Sequence, residues 1–178
     1  MRVMERSTDL RLPTVAVPIR LALVGHEVAQ AELFVGERAR QGRGQLLDDL
    51  AAQLDELEPF LPIRGSEGVR LLGKHAIAWI AVARHVDPPG AAPLEPRPAE
   101  VTLDEVTLYD RKHRVAIELL AGDTLTGVLL DSFPPDRPRV VDHLNRAVQF
   151  VRLWTSDEHY LINKRQILQV TELTSSVE

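Results

Sequence analysis

A chain of 178 residues has room for one ordinary domain or two small ones. Its 44% hydrophobic and 26% charged residues form a globular balance, and with aromatics at 4% the core must rest on Leu, Val, Ile and Ala. The net charge of −5 excludes a polybasic protein, and the lack of cysteine excludes disulfides and thiolate metal sites.

Residues 1–14 read as a polar N-terminal tail. Apolar residues then alternate with period two, at Val15, Val17, Ile19, Leu21 and Leu23, which predicts a first strand. The stretch from Arg11 to Ala31 has the outline of a secretory leader, with a basic start and an Ala29-Gln30-Ala31 end. Pro18 and Arg20 break its apolar centre, so a strand of a cytoplasmic protein is the expectation. No apolar run reaches the ~18 residues of a membrane-spanning helix. Gly25 turns the chain into a second strand, Val28 to Val35. His26-Glu27 begins like a zinc-protease helix, but Gln30 stands where the second histidine belongs. The next loop places Arg38, Arg40 and Arg43 between Gly36 and Gly44. It lacks the lysine and Ser/Thr of a phosphate-binding loop and reads as solvated.

Leu46, Leu47, Leu50, Leu54 and Leu57 at helical spacing predict a helix, with Asp48-Asp49 near its start to complement the dipole. Three short strands close this half: "FLPIR" at 60–64, then the two sides of the turn in "VRLLGKHAIAWIAV", 69–82. Residues 15–86 thus form a first unit. From Asp87 to Glu100 the chain carries five prolines, which continue neither a helix nor a central strand. This is a semi-rigid linker, ~40 Å long if fully polyproline-like.

Residues 101–173 repeat the pattern as a second unit, and 174–178 form a C-terminal tail. Val115, Ile117 and Leu119 alternate, Ala121-Gly122-Asp123 turns, and Thr124 to Leu130 gives another strand. A shorter helix follows a loop, with Asp136 as N-cap, Pro138 in the first turn, and Val141, Leu144 and Val148 as its buried stripe. "FVRLW" and "YLINKRQILQV" then fall opposite "FLPIR" and "VRLLGKHAIAWIAV", and Phe60 to Lys74 spans the same distance as Phe150 to Lys164. The expected fold class is mainly β with inserted helices, a tandem duplication of one small five-stranded barrel.

"VAIELLAGDTLTGVLLDSF", 115–133, resembles the first Sm motif, with its central glycine at Gly127. The strand pairs around Lys74 and Lys164 resemble the second Sm motif, and Lys74-His75-Ala76-Ile77 is similar to the spelling in bacterial Sm-like RNA chaperones. The resemblance implies two divergent Sm-like, or SH3-like, barrels. It also implies an RNA-contacting place for Lys74, His75, Lys164 and Arg165, where cations neutralise phosphate and histidine stacks on a base. The chain departs from the family by its inserted helices and by Gly73-Lys74 and Asn163-Lys164 in place of Arg-Gly. Gly73 and Asn163 are expected to take positive φ in a tight turn, sending the following lysine to solvent.

The first unit, 15–86, carries eight basic against nine acidic side chains, and residues 102–173 carry nine against eleven. Neither has the basic footprint of a nucleic-acid module. The cluster Arg111, Lys112, His113 and Arg114 has nothing beside it to complete a cyclic-dinucleotide motif. His26, His75, His85, His113, His143 and His159 show no ligand spacing, so no metal and no cofactor is expected. No nucleophile elbow or thiol nucleophile is present. The expected function is a non-catalytic binding or scaffold protein, without membrane contact, that acts through protein–protein contacts and homo-oligomers. An RNA-binding Sm-like protein is the alternative, and an enzyme with an unrecognised site a distant one.

Overall fold

A computed structural model of the protein describes residues 14–36, 43–83, 111–131 and 140–173. The proline linker 87–100, the tail up to residue 13, the residues from 174, Arg38, Arg40, Asp136 and Pro138 lie outside the described residues.

The first half runs β1 (Thr14–Leu23), β2 (Ala29–Gly36), α1 (Arg43–Asp55), β3 (Phe60–Gly65), β4 (Gly68–Gly73), a 3₁₀ turn over Lys74–Ala76, and β5 (Ile77–Ala83). The second runs β6 (Arg111–Leu119), β7 (Thr124–Asp131), α2 (Val140–Leu144), β8 (Phe150–Trp154), β9 (Glu158–Asn163), a 3₁₀ turn over Lys164–Gln166, and β10 (Ile167–Glu172). Both halves therefore show five strands, a helix between the second and third, and a 3₁₀ turn before the last.

All ten strands are antiparallel and join one open sheet, in the order β10-β6-β7-β8-β9-β5-β1-β2-β3-β4. Within each half the last strand returns beside the first. The halves meet where β5 pairs with β9, Trp79 opposite Ile162 through Ala83 opposite Glu158. β10 and β4 are the two ends of the sheet. The architecture is mainly β with inserted helices. Among the described residues no helix is long and apolar enough to cross a membrane.

Period-two alternation makes β1 as expected: Val15, Val17, Ile19 and Leu21 are buried on one face. Pro18 is tolerated because β5 joins β1 only from Arg20 onward, so at Pro18 the strand has a single neighbour, β2. The turns after β1 and β6 place Gly25 and Gly122 at positive φ, 76° and 93°. Gly127 has a different cause. A Cβ there would lie 2.5 Å from the Trp154 carbonyl oxygen and 2.9 Å from Leu153 Cγ.

Two cores form, and each borrows from the other half. The first gathers β1, β2, β3 and β5 with Leu46, Leu47, Leu50, Ala51 and Leu54 of α1, and adds Phe150 and Leu161 from the second half. The second gathers Val115, Ile117, Leu119, Leu129, Val151, Leu153 and Ile162, and adds Trp79 and Ala81 from β5. At ~1.5–3 kcal/mol for each large side chain fully buried, this exchange makes the halves energetically dependent on one another.

Three local expectations are corrected. α1 starts at Arg43, so Asp48 and Asp49 lie beyond its first turn, and Asp48 instead bonds Arg152 Nη1 at 2.6 Å. α2 ends before Val148, and it is Val140 and Leu144 that pack on the core, while Val141 and Val148 are exposed. Leu57 lies past the end of α1 and is exposed. A helix of five residues buries one narrow stripe, and the i, i+4 pair from Val140 is that stripe.

Candidate functional site

Strand β4 ends at Gly73 and β9 at Asn163, and neither residue takes positive φ. Both are extended, with φ −68°. The chain turns through one 3₁₀ turn rather than a tight hairpin, so the expectation of left-handed residues there is overturned. Gly73 is small for a different reason, because a Cβ would come within 2.6 Å of the His75 ring.

The lysines that follow turn back onto the chain, Lys74 buried and Lys164 half-exposed. α1 has no basic residue in its last turn, so its final carbonyls and negative dipole end lack a local partner. Lys74 supplies one across space. Its Nζ donates to the carbonyl oxygens of Gln53 at 2.6 Å and Glu56 at 3.1 Å, and the residue is buried. Its backbone N–H donates to Pro59 O at 2.9 Å. The second half repeats this. Lys164 Nζ donates to Arg146 O at 2.6 Å, and the Lys164 N–H to Gln149 O at 3.0 Å. Burial lowers the Lys164 pKa from the usual lysine value; the Asp55 carboxylate opposes this and Arg146 reinforces it.

Of the four residues expected to meet RNA, His75 and Arg165 are exposed, while the Lys74 ammonium caps the end of α1 and that of Lys164 bonds the Arg146 carbonyl in the turn after α2. The two turns lie side by side. Asn163, fully buried, donates from Nδ2 to Ile77 O at 2.9 Å and approaches Lys74 O at 3.5 Å, while its Oδ1 accepts from Arg165 N at 3.1 Å. The polar residue that matters most at this place is one sequence reasoning treated as a turn-former. The signal was a mismatch, since the aligned position in the first half is glycine.

Around Asn163 the seam between the halves is held by three further polar contacts. Arg20 Nη1 bonds both carboxylate oxygens of Glu158, at 2.7 and 2.8 Å, and Tyr160 Oη donates to Glu158 Oε2 at 2.6 Å. Burial, then the hydrogen bond and charge of Glu158, push the Tyr160 hydroxyl up to about 12. Asp48 of α1 pairs with Arg152. Asp55, at the last position of α1 where the dipole disfavours an acid, accepts from the backbone N–H of Gln149 at 2.7 Å and Phe150 at 3.2 Å. That carboxylate anchors α1 to the start of β8.

On the outer face of the sheet a shallow groove of about 570 Å³ runs across β1, β2, β3, β5 and β9. Pro18, Ala81 and Ala83 contribute to it, and the ion pairs Arg20–Glu158 and Arg64–Glu32 (3.0 Å) stand at its walls. Both carboxylates that line it, Glu32 and Glu158, are thus ion-paired. Among the described residues no three His, Asp or Glu side chains gather to hold a metal ion. In the 111–114 cluster, His113 is half-buried and its Nδ1 lies 2.8 Å from Glu172 Oε1, a cross-strand pair rather than a ligand site.

Large apolar side chains are exposed along the two sheet ends: Phe60, Val69 and Leu71 on the β3–β4 side, and Leu168 on β10. Comparison with protein-family models, with curated proteins and with solved structures found no match.

Proposed function

We propose that the chain is a non-catalytic binding or scaffold protein, built from two Sm-like units related by tandem duplication, that acts through protein contacts at its sheet edges. The equivalence of the units rests on the repeated element order and on matching contacts: Lys74 donates to Gln53 O and Pro59 O in the first half, and Lys164 to Arg146 O and Gln149 O in the second. The observation that carries the functional reading is the pair of edges, β4 and β10, that have no further strand beside them among the described residues, with apolar side chains standing in solvent. Edge strands offer unpaired backbone donors and acceptors, and strand addition is the interaction they serve. Exposed cations suited to phosphate are few at the turns, because the Lys74 and Lys164 ammonium groups are already bonded.

Purified protein is expected to be free of nucleic acid by its 260/280 nm absorbance and to bind neither oligo-U nor oligo-A RNA at low salt. Light scattering is expected to show its mass rising with concentration. Affinity for RNA that falls steeply with salt and is lost in His75→Ala with Arg165→Ala would replace this reading with an RNA-binding one.

A further inference from the structure

The geometry points to a peptide-binding site in the groove, where an extended segment of another protein, with acid, base and acid at alternate positions, lies across β1, β2 and β3. This surface is a face of the sheet rather than an edge, so it stands apart from the edge contacts proposed above. Its three recognition groups come from three neighbouring strands. Arg20 of β1 stands opposite Gln30, two residues from Glu32 on β2, and Glu32 stands opposite Arg64 on β3. All three point away from the first core, since their chain neighbours Ile19, Leu33 and Ile63 are buried in it. Strands lie ~4.8 Å apart, and residues two apart on one strand ~7 Å. The step from Arg20 to Glu32 is then about 8 Å and that from Glu32 to Arg64 about 5 Å. The order is cation, anion, cation. Side chains on one face of an extended peptide repeat every ~7 Å, so an acid–base–acid peptide meets each group with its opposite charge.

These groups are held ready and keep capacity for a ligand. The Arg20 and Arg64 side chains are 46% and 50% exposed, and each guanidinium lies over an aromatic ring, Trp79 at 5.8 Å and Phe34 at 4.8 Å. Among the described residues both arginines bond their carboxylates through Nη1, which leaves Nη2 and Nε to donate to a carboxylate of the ligand. The Glu32 side chain is 42% exposed and accepts from Arg64 on Oε2, which leaves Oε1 for a base. Glu158 differs, because it is 14% exposed and already accepts from Arg20 on both oxygens and from Tyr160. It fixes Arg20 and does not meet the peptide.

Pro18, Ala81 and Ala83 are small or flat, so the floor between the charged walls is low enough for a peptide to lie on. The volume of about 570 Å³ is that of a ligand pocket. A polyacid would face Glu32 and a polybase would face both guanidiniums. Alternation of charge therefore sets the specificity, by repelling the wrong partners as well as by attracting the right one.

The test adds a synthetic peptide, acetyl-Glu-Val-Arg-Val-Glu-amide, to the full chain and follows the backbone amide shifts. Saturable shifts are expected at Gly65, Ala81 and Ala83, with affinity falling as salt rises. The charge-inverted peptide, acetyl-Arg-Val-Glu-Val-Arg-amide, is expected to bind at least about tenfold more weakly. Absence of saturable shifts, equal binding of the two peptides, or shifts confined to β4 and β10 overturns the site. Ala83→Trp, at an exposed floor position, is expected to abolish the groove shifts while leaving the urea midpoint unchanged. Glu32→Arg with Arg64→Glu keeps the internal pair and changes the order to cation, cation, anion. That double variant is expected to prefer acetyl-Glu-Val-Glu-Val-Arg-amide over the first peptide. An unchanged preference, or groove shifts that survive Ala83→Trp, also overturns the site.

Discussion

The hairpin β3–β4 and its counterpart β8–β9 share a frame and end in opposite surroundings. Both open on phenylalanine, Phe60 and Phe150, and both close on a 3₁₀ turn begun by a lysine that reaches back to a backbone carbonyl at or just after the preceding helix. β8–β9 lies in the middle of the sheet and feeds Phe150 and Leu161 into the core of the other half. β3–β4 lies at the rim, with Phe60 and Leu71 in solvent. What separates them is the presence of a neighbour. The β8–β9 hairpin carries Arg152, Glu158 and Asn163, which bond the first half, while at the positions 90 residues earlier the β3–β4 hairpin has Pro62, Gly68 and Gly73. Specificity at a sheet edge comes from side chains, since the backbone of either hairpin accepts a partner in several registers.

The sharpest way to break this comparison is a matched truncation. Leu161→Ala removes a side chain buried between the halves and is expected to cost ~2–5 kcal/mol in urea unfolding. Leu71→Ala, its counterpart, is expected to stay within about 0.5 kcal/mol of the parent in dilute protein. Equal costs would mean that the two hairpins are not energetically distinct. Next in size is Asn163→Ala, which leaves the buried Ile77 carbonyl and Arg165 N–H without their side-chain partner, at a cost of about 1–3 kcal/mol. A value near zero would show that strand pairing alone fixes the seam.

The turn lysines sharpen the comparison within the halves. Lys74→Met strips two helix-end carbonyls of a buried donor and is expected to destabilise by about 1–3 kcal/mol. Lys164→Met, which loses one bond at a partly exposed five-residue helix, is expected to cost less than about 1 kcal/mol by the same urea measurement. Reversal of that order would mean that α1 does not depend on its cap.

Much of the architecture was legible in the sequence because period-two alternation and turn residues are local signals. β1, β2, β6, β7 and the repeat of the final three strands all lie within a few residues of their expected bounds. The seam was not legible, since pairing of β5 with β9 joins residues about 80 apart and leaves no local mark on either strand. The turn lysines show the opposite failure. A basic residue after a presumed tight turn reads as exposed, and only the position of a helix end in space reveals Lys74 as its cap. Gly73 and Asn163 each precede a 3₁₀ turn, but not for the expected reason: a φ of −68° needs no glycine, and Asn163 bonds across the seam.

Alkaline pH offers the finest probe, because the two titrating groups at the seam act with opposite sign. Tyr160 is held neutral in the fold up to about 12 against an ordinary value of 10.0. Below about pH 10 it is neutral in both states, and its contribution is fully present. Between there and about 12 the unfolded chain ionises first, so stability falls as pH rises. Lys164 has a folded pKa below its usual 10.5, so the unfolded chain binds more protons in that range and stability rises with pH toward 10.5. Tyr160→Phe removes the first effect and leaves the second. The variant is expected to lose less stability than the parent from pH 10 to 12, with near-identical urea midpoints at pH 8. Parallel pH profiles would instead show that Glu158 holds Arg20 without restraining the Tyr160 hydroxyl.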